Sequence, residues 1–190
     1  MEGVKKDMAT VEPWQTAEIP GPKKALVITK PEVVVAMIKK AKRPILVVGH
    51  KAAETRIGNR RLIDYLIKLA ERAAIPVIAT AHTISEFSKR GYKPMGLMSA
   101  VDIGNRLVDS GWMGVDGKGQ YDLALFVGLP YYMEWTILSG LKHFAPNLKT
   151  ITLDNFYHPH ASWSFPNISE KELVENLKTI ISKFEEEGGK

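Results

Sequence analysis

The residues best equipped for chemistry lie late in the chain, where His158-Pro159-His160 follows Asp154 at short range. Two imidazoles at i and i+2 can share one side of an extended segment, and zinc or nickel would accept them. His82 is the one further histidine that suggests itself as a third ligand. That leaves the set short of a metal centre, so the alternative reading is a polar surface loop and no metal is assigned to this chain. Ser162 and Ser164 stand beside the histidines, yet no G-x-S-x-G elbow accompanies them and a hydrolase triad is not indicated. The Asp116 to Asp122 loop is rich in Gly and Asp, but it lacks the acidic alternation and closing Glu of a calcium loop. Cysteine is absent, which excludes a thiol nucleophile, a disulfide and any thiolate-held iron–sulfur cluster on this chain. No catalytic residue is assigned.

Phosphate chemistry fares similarly. No G-x-x-x-x-G-K-[ST] occurs, and Gly49-His50-Lys51-Ala52 does not supply it. No G-x-G-x-x-G follows a strand, since Gly117-Lys118-Gly119 precedes one. A conventional kinase, GTPase or NAD dehydrogenase is therefore disfavoured. A flavin or nucleotide held by an atypical loop stays open.

The elements that must position these residues alternate along the chain. Pro44 to Gly49 is a continuous apolar run closed by Gly, as expected of a strand covered on both faces. Pro76 to Ala79, Asp122 to Gly128 and Leu148 to Asp154 read as further strands. Helices are expected from a T-x-x-E capping box at Thr29 and Glu32, over Asn59 to Ala74, and around Ser85 to Arg90. Others run from a Ser99 cap to Gly111, from Pro130 through about Phe144, and from a second capping box at Ser169 and Glu172. Such alternation implies right-handed crossovers and a Rossmann-like three-layer α/β domain with a mostly parallel sheet. Residues 1–24, with Pro13, Pro20, Gly21 and Pro22, read as an extended arm. Residues 25–186 form a single domain in this reading, and 187–190 a frayed tail.

In open α/β sheets ligands bind outside the carboxyl ends of the strands, near a topological switch point. The candidate cofactor-binding residues are accordingly Gly49, His50, Thr80, Gly128 and Asp154. Gly49 and Gly128 would let backbone N–H groups approach a phosphate; the alternative is that each makes only a tight strand-to-helix turn. Tyr131 and Tyr132 could line a pocket or face a partner, while Trp135 reads as core.

Composition narrows the classes further. The 190 residues fit one domain, and no apolar stretch is long enough to span a bilayer or to serve as a secretory signal, so a cytoplasmic location is expected. The net charge of +5 comes from scattered pairs such as Lys39-Lys40 and Arg60-Arg61 rather than one basic face. Nucleic acid is therefore not an expected partner, and an acidic protein surface is the better match.

Several segments, taken in order, resemble one family. They are Lys42 to Gly49 (KRPILVVG), Gly114 to Asp122 (GVDGKGQYD), the Tyr131-Tyr132 helix start, and Ile151 to Asp154 followed by Ala161, Ser164, Phe165 and Asn167-Ile168-Ser169. Their joint spacing is similar to that of the epsilon subunit of the archaeal carbon monoxide dehydrogenase, part of the acetyl-CoA decarbonylase/synthase complex of methanogenesis-related one-carbon metabolism. The resemblance covers the chain from about Thr16 and is weakest over Thr80 to Met98. It implies the flavin/NAD-binding fold found in the middle domains of thiamine-diphosphate enzymes. It also implies association with the large nickel–iron–sulfur alpha subunit, with paired copies of this chain in the assembly. The implied role is accessory, stabilising the alpha subunit and assisting electron transfer to FAD. A flavin- or nucleotide-binding electron-transfer module acting in its own right is the alternative, and a stand-alone nucleotide-dependent enzyme a third.

Overall fold

The computed structural model describes residues 23–80 and 83–188. The expected arm at 1–24 falls almost wholly outside these residues, as does His82. Seven strands form one parallel sheet in the order β1-β9-β8-β7-β2-β5-β6, comprising Leu26–Val27 (β1), Pro44–Val48 (β2), Val77–Ala79 (β5), Gly96–Leu97 (β6), Leu123–Val127 (β7), Lys149–Thr152 (β8) and Trp163–Ser164 (β9). Arg56–Ile57 (β3) and Arg60–Arg61 (β4) make a separate antiparallel hairpin.

The central strands are buried on both sides because their side chains alternate between two apolar cores. Leu46 and Val48 of β2, with Leu123, Leu125 and Val127 of β7, face one core. It is closed by helices Glu32–Lys40 (α1), Leu62–Arg72 (α3) and Glu170–Gly188 (α7). Ile45, Val47, Ala124 and Phe126 face the other, beneath Ala100–Val108 (α5) and Tyr131–Phe144 (α6). Two short helices, Lys51–Glu54 (α2) and Ile84–Lys89 (α4), complete the set. The layers are helix, sheet, helix, and the fold is the Rossmann-like α/β arrangement expected. No described helix is long and apolar enough to cross a membrane.

Differences from the expected boundaries have local causes. The first helix begins at Glu32, not Thr29, because Pro31 already holds the helical backbone (φ −61°, ψ −22°) and starts the turn without a side-chain cap. The segment read as a helix from Asn59 is a hairpin up to Arg61, turned at Gly58 with φ +60°, and α3 starts only at Leu62. The helix capped by Ser99 ends at Val108 rather than Gly111, although the cap forms, with Asp102 N–H donating to Ser99 Oγ at 3.0 Å. The Ser169–Glu172 box also forms, each side chain meeting the other residue's backbone N–H. Helix α7 then runs on to Gly188, past the expected fraying point, with Glu185 paired to Lys68 and Arg72 of α3.

Candidate functional site

Strand β2 is flanked by β5 on one side and β7 on the other, so the chain leaves β2 and β7 in opposite directions along the sheet. This is the switch point, and Gly49 and Gly128 terminate its two strands. They are packed against each other. A Cβ on Gly49 would lie 2.2 Å from the Gly128 carbonyl oxygen, and one on Gly128, at φ +74°, would lie 2.6 Å from the Ala52 nitrogen. Their backbone groups are also taken. Gly49 N–H donates to Val127 O, Lys51 N–H to Gly128 O, and Gly128 N–H to the Asp154 carboxylate at 2.9 Å. Both glycines therefore serve the tight-turn alternative: they let two strand ends meet.

Of the residues expected to bind a cofactor, Gly128 and Asp154 converge, Gly49 packs behind them, and His50 stands next in the chain at the start of α2. Thr80 ends β5 on the far side of β2, its N–H donating to Val48 O and its carbonyl accepting from the Thr83 hydroxyl. The cavity at the strand ends is about 80 Å³ and is lined in part by Lys51, Gly128, Tyr131, Asp154 and His158. Neither His50 nor Thr80 reaches it.

Beneath this cavity lies a residue that strand-end reasoning missed. Glu134, one turn into α6, is fully buried. It shares an inward stripe with Ile137, Leu138 and Leu141, at spacings of three, four and seven. A carboxylate on an apolar helix stripe was the signal available in the sequence. Oxygens of Glu134 and Asp154 and a ring nitrogen of His158 all lie within 4.8 Å of one another. His158 Nε2 is 3.7 Å from Glu134 Oε1, and the imidazole stacks on Tyr131 at 4.4 Å between ring centres. No N–H or O–H donor among the described residues meets either Glu134 oxygen, nor does His158 Nδ1 find a partner.

Burial raises the Glu134 carboxyl well above its ordinary range, the Asp154 charge adds to this, and Lys51 opposes it weakly. Asp154 is also raised by burial, against the pull of Glu134, the Gly128 N–H and Lys51. Burial pushes the His158 imidazole down to about 3, assisted by His160, so its ring is neutral at physiological pH. The two histidines of the His-x-His run do not converge. His160 turns to Trp135, edge-on at 4.7 Å, and burial together with Lys142 and His143 lowers it to about 4.

Ligand pockets of nucleotide size measure roughly 300–1,000 Å³. The strand-end cavity is well below this, the Lys51 and Gly128 amides at its wall are already engaged, and the Asp154 carboxylate stands where a pyrophosphate would need positive charge. FAD does not fit there. Larger hollows, of about 500 and 410 Å³, lie elsewhere: one beside α4 and β6, the other along the β1–β9 edge.

Comparison with known proteins settles the lineage. A family described as CO dehydrogenase beta subunit/acetyl-CoA synthase epsilon subunit matches residues 7–181. The chain belongs to this family. Among its relatives is the acetyl-CoA decarbonylase/synthase complex subunit epsilon of Methanothermobacter thermautotrophicus, 39% identical over 173 residues, which cover 90% of this chain and 95% of that protein. Subunit epsilon 1 of Archaeoglobus fulgidus is 39% identical over 171 residues, or 88% and 89% of the two chains. The epsilon subunit of Methanothrix soehngenii is 37% identical over 174 residues, or 87% and 88%. The similarity therefore spans both the sheet and the Glu134–Asp154–His158 cluster of this family member.

Proposed function

We propose that this chain is an accessory subunit of an acetyl-CoA decarbonylase/synthase complex, docking on the large nickel–iron–sulfur subunit that oxidises CO and stabilising it. The observation that carries this reading is full-length membership of the epsilon family in a chain with no cysteine. Cluster ligation then falls to the partner, because thiolate ligands cannot come from here. Exposed aromatic side chains near the strand ends, Tyr132 and Phe156, add apolar surface of the kind a partner covers. A cytoplasmic location follows from this role.

The flavin enters this reading differently from the sequence expectation. We place any FAD of the assembly on the partner or across the interface, since the strand ends of this chain are closed to it. Titrating the isolated chain with micromolar FAD should leave flavin absorbance and fluorescence unchanged, and stoichiometric binding would overturn that placement.

Co-expression with the large subunit tests the docking. The two chains are expected to co-purify, and the large subunit should lose CO-oxidising activity more slowly with its partner than without it. Failure of the full-length chain to bind the reconstituted large subunit would refute the accessory role.

A further inference from the structure

The Glu134, Asp154 and His158 cluster is not explained by the docking role. Its two carboxylates come from different elements, Glu134 from α6 and Asp154 from the end of β8, and His158 comes from the loop that follows. Buried carboxylates normally meet donors, because an unpaired buried polar group costs about 1–3 kcal/mol. Asp154 accepts from the Gly128 N–H and, where Glu134 is protonated, from the Glu134 carboxyl, whereas no N–H or O–H of another described residue reaches the wholly buried Glu134. What faces Glu134 is another acceptor and a histidine ring nitrogen.

We propose that Glu134, Asp154 and His158 bind one divalent transition-metal ion of the zinc, cobalt or manganese class. Three donor atoms converge within 4.8 Å of one another. The 3.7 Å between His158 Nε2 and Glu134 Oε1 is close to the roughly 3.4 Å that separates donors around a tetrahedral ion with bonds of about 2.1 Å. An imidazole with two carboxylates suits these ions, whereas magnesium and calcium favour all-oxygen sets. The ion supplies what the site lacks, since it compensates two carboxylates that Lys51 alone cannot balance. Stacking on Tyr131 fixes the imidazole plane, and the Gly128 N–H orients Asp154, as outer-shell partners do in metal sites. The 80 Å³ cavity above Asp154 and His158 gives an entry path and holds two or three waters at about 30 Å³ each, completing a coordination shell. His160, facing Trp135, is not a ligand.

The test uses the purified full chain, stripped with a chelator and titrated with Co²⁺. A saturable visible d–d absorption band at one equivalent is expected, abolished by competing Zn²⁺ and unaffected by Mg²⁺ or Ca²⁺. Glu134→Gln, nearly isosteric and checked for folding by circular dichroism, should weaken Co²⁺ affinity by about tenfold or more, as should His158→Ala. Lys51→Ala should strengthen it severalfold by removing a like charge. Absence of a saturable band in the wild-type chain, or equal affinity in Glu134→Gln, would overturn the proposal, as would preference for Mg²⁺ or Ca²⁺. None of these readouts depends on the large subunit, so failure of the docking reading and failure of the metal site are distinguishable.

Discussion

Two pairs of carboxylates in this chain sit in opposite surroundings. Asp64 and Glu86, near the α3–α4 side of the sheet, are each met by cations. Asp64 accepts from the Arg61 N–H at 2.7 Å and pairs with the Arg90 guanidinium. Glu86 pairs with Lys89 at 2.6 Å, Arg90 at 2.9 Å and Arg61 at 3.0 Å. Its carboxyl is held down to about 2, by Lys89 first and then Arg90. Glu134 and Asp154 instead face each other, and burial drives both upward. The difference separates a fold device from a site. The first pair is a closed network joining α3 to α4, complete without a ligand. The second carries electrostatic strain that a shared proton, the Gly128 N–H and Lys51 relieve only in part, as is common where a site is built for something that binds.

The comparison can be broken first at its scaffold. Gly49→Val should destabilise the chain by about 3–5 kcal/mol in urea unfolding, since the added carbon meets the Gly128 backbone at 2.2 Å. That substitution, or its counterpart at Gly128, reports on packing of the switch point and not on a cofactor. A loss under 1 kcal/mol would show that the two turns are not interlocked.

Next in size are the carboxylates themselves, where the sign should differ. Asp64→Asn weakens the Arg90 pair and the N-terminal cap of α3, and should cost about 1–2 kcal/mol by the same measurement. Glu134→Gln, without metal, should stabilise by about 0.5–1 kcal/mol, because the amide donates to Asp154 as the protonated carboxyl does but without the cost of holding a carboxyl protonated near neutral pH. Equal losses at the two positions would erase the distinction.

The smallest effect is one of pH. Asp64 and Glu86 both lie below their ordinary values of 3.8 and 4.5 in the folded chain. A carboxyl depressed by folding contributes stability above its unfolded value and loses it as pH falls through its folded one. The contribution of this network should therefore be whole above about pH 4.5 and decline toward pH 2. Asp64→Asn should flatten part of that acid limb in pH-resolved thermal melts. An unchanged limb would remove Asp64 from the network's pH response.

Much of the scaffold was legible before the structure. Doubly buried strands such as β2 and β7 announce themselves, because runs like ILVV and LALFV have no polar face to give to water. The two-residue strands β1, β6 and β9 did not, since their conformation comes from neighbours that fix the register and not from their own pattern. Within the site, Gly128 and Asp154 followed from strand-end geometry, while Thr80 was carried to the other side of β2. Strand-end geometry does not mark Glu134, because this carboxylate reaches the same point from inside a helix. Sequence spacing pairs His158 with His160. The loop separates them, and Glu134, far from both in sequence, is the partner that His158 meets.

The most direct test of the contrast is thermal unfolding of the full chain with and without Zn²⁺ at about 100 times its dissociation constant. Ligand linkage gives about 2.7 kcal/mol under that condition, or roughly 5–10 °C for a domain of this size. The account predicts such a rise for the wild-type chain and for Glu86→Gln, and about half of it or less for Glu134→Gln, whose affinity is at least about tenfold weaker. Equal shifts in all three, or no shift in the wild type, would contradict it.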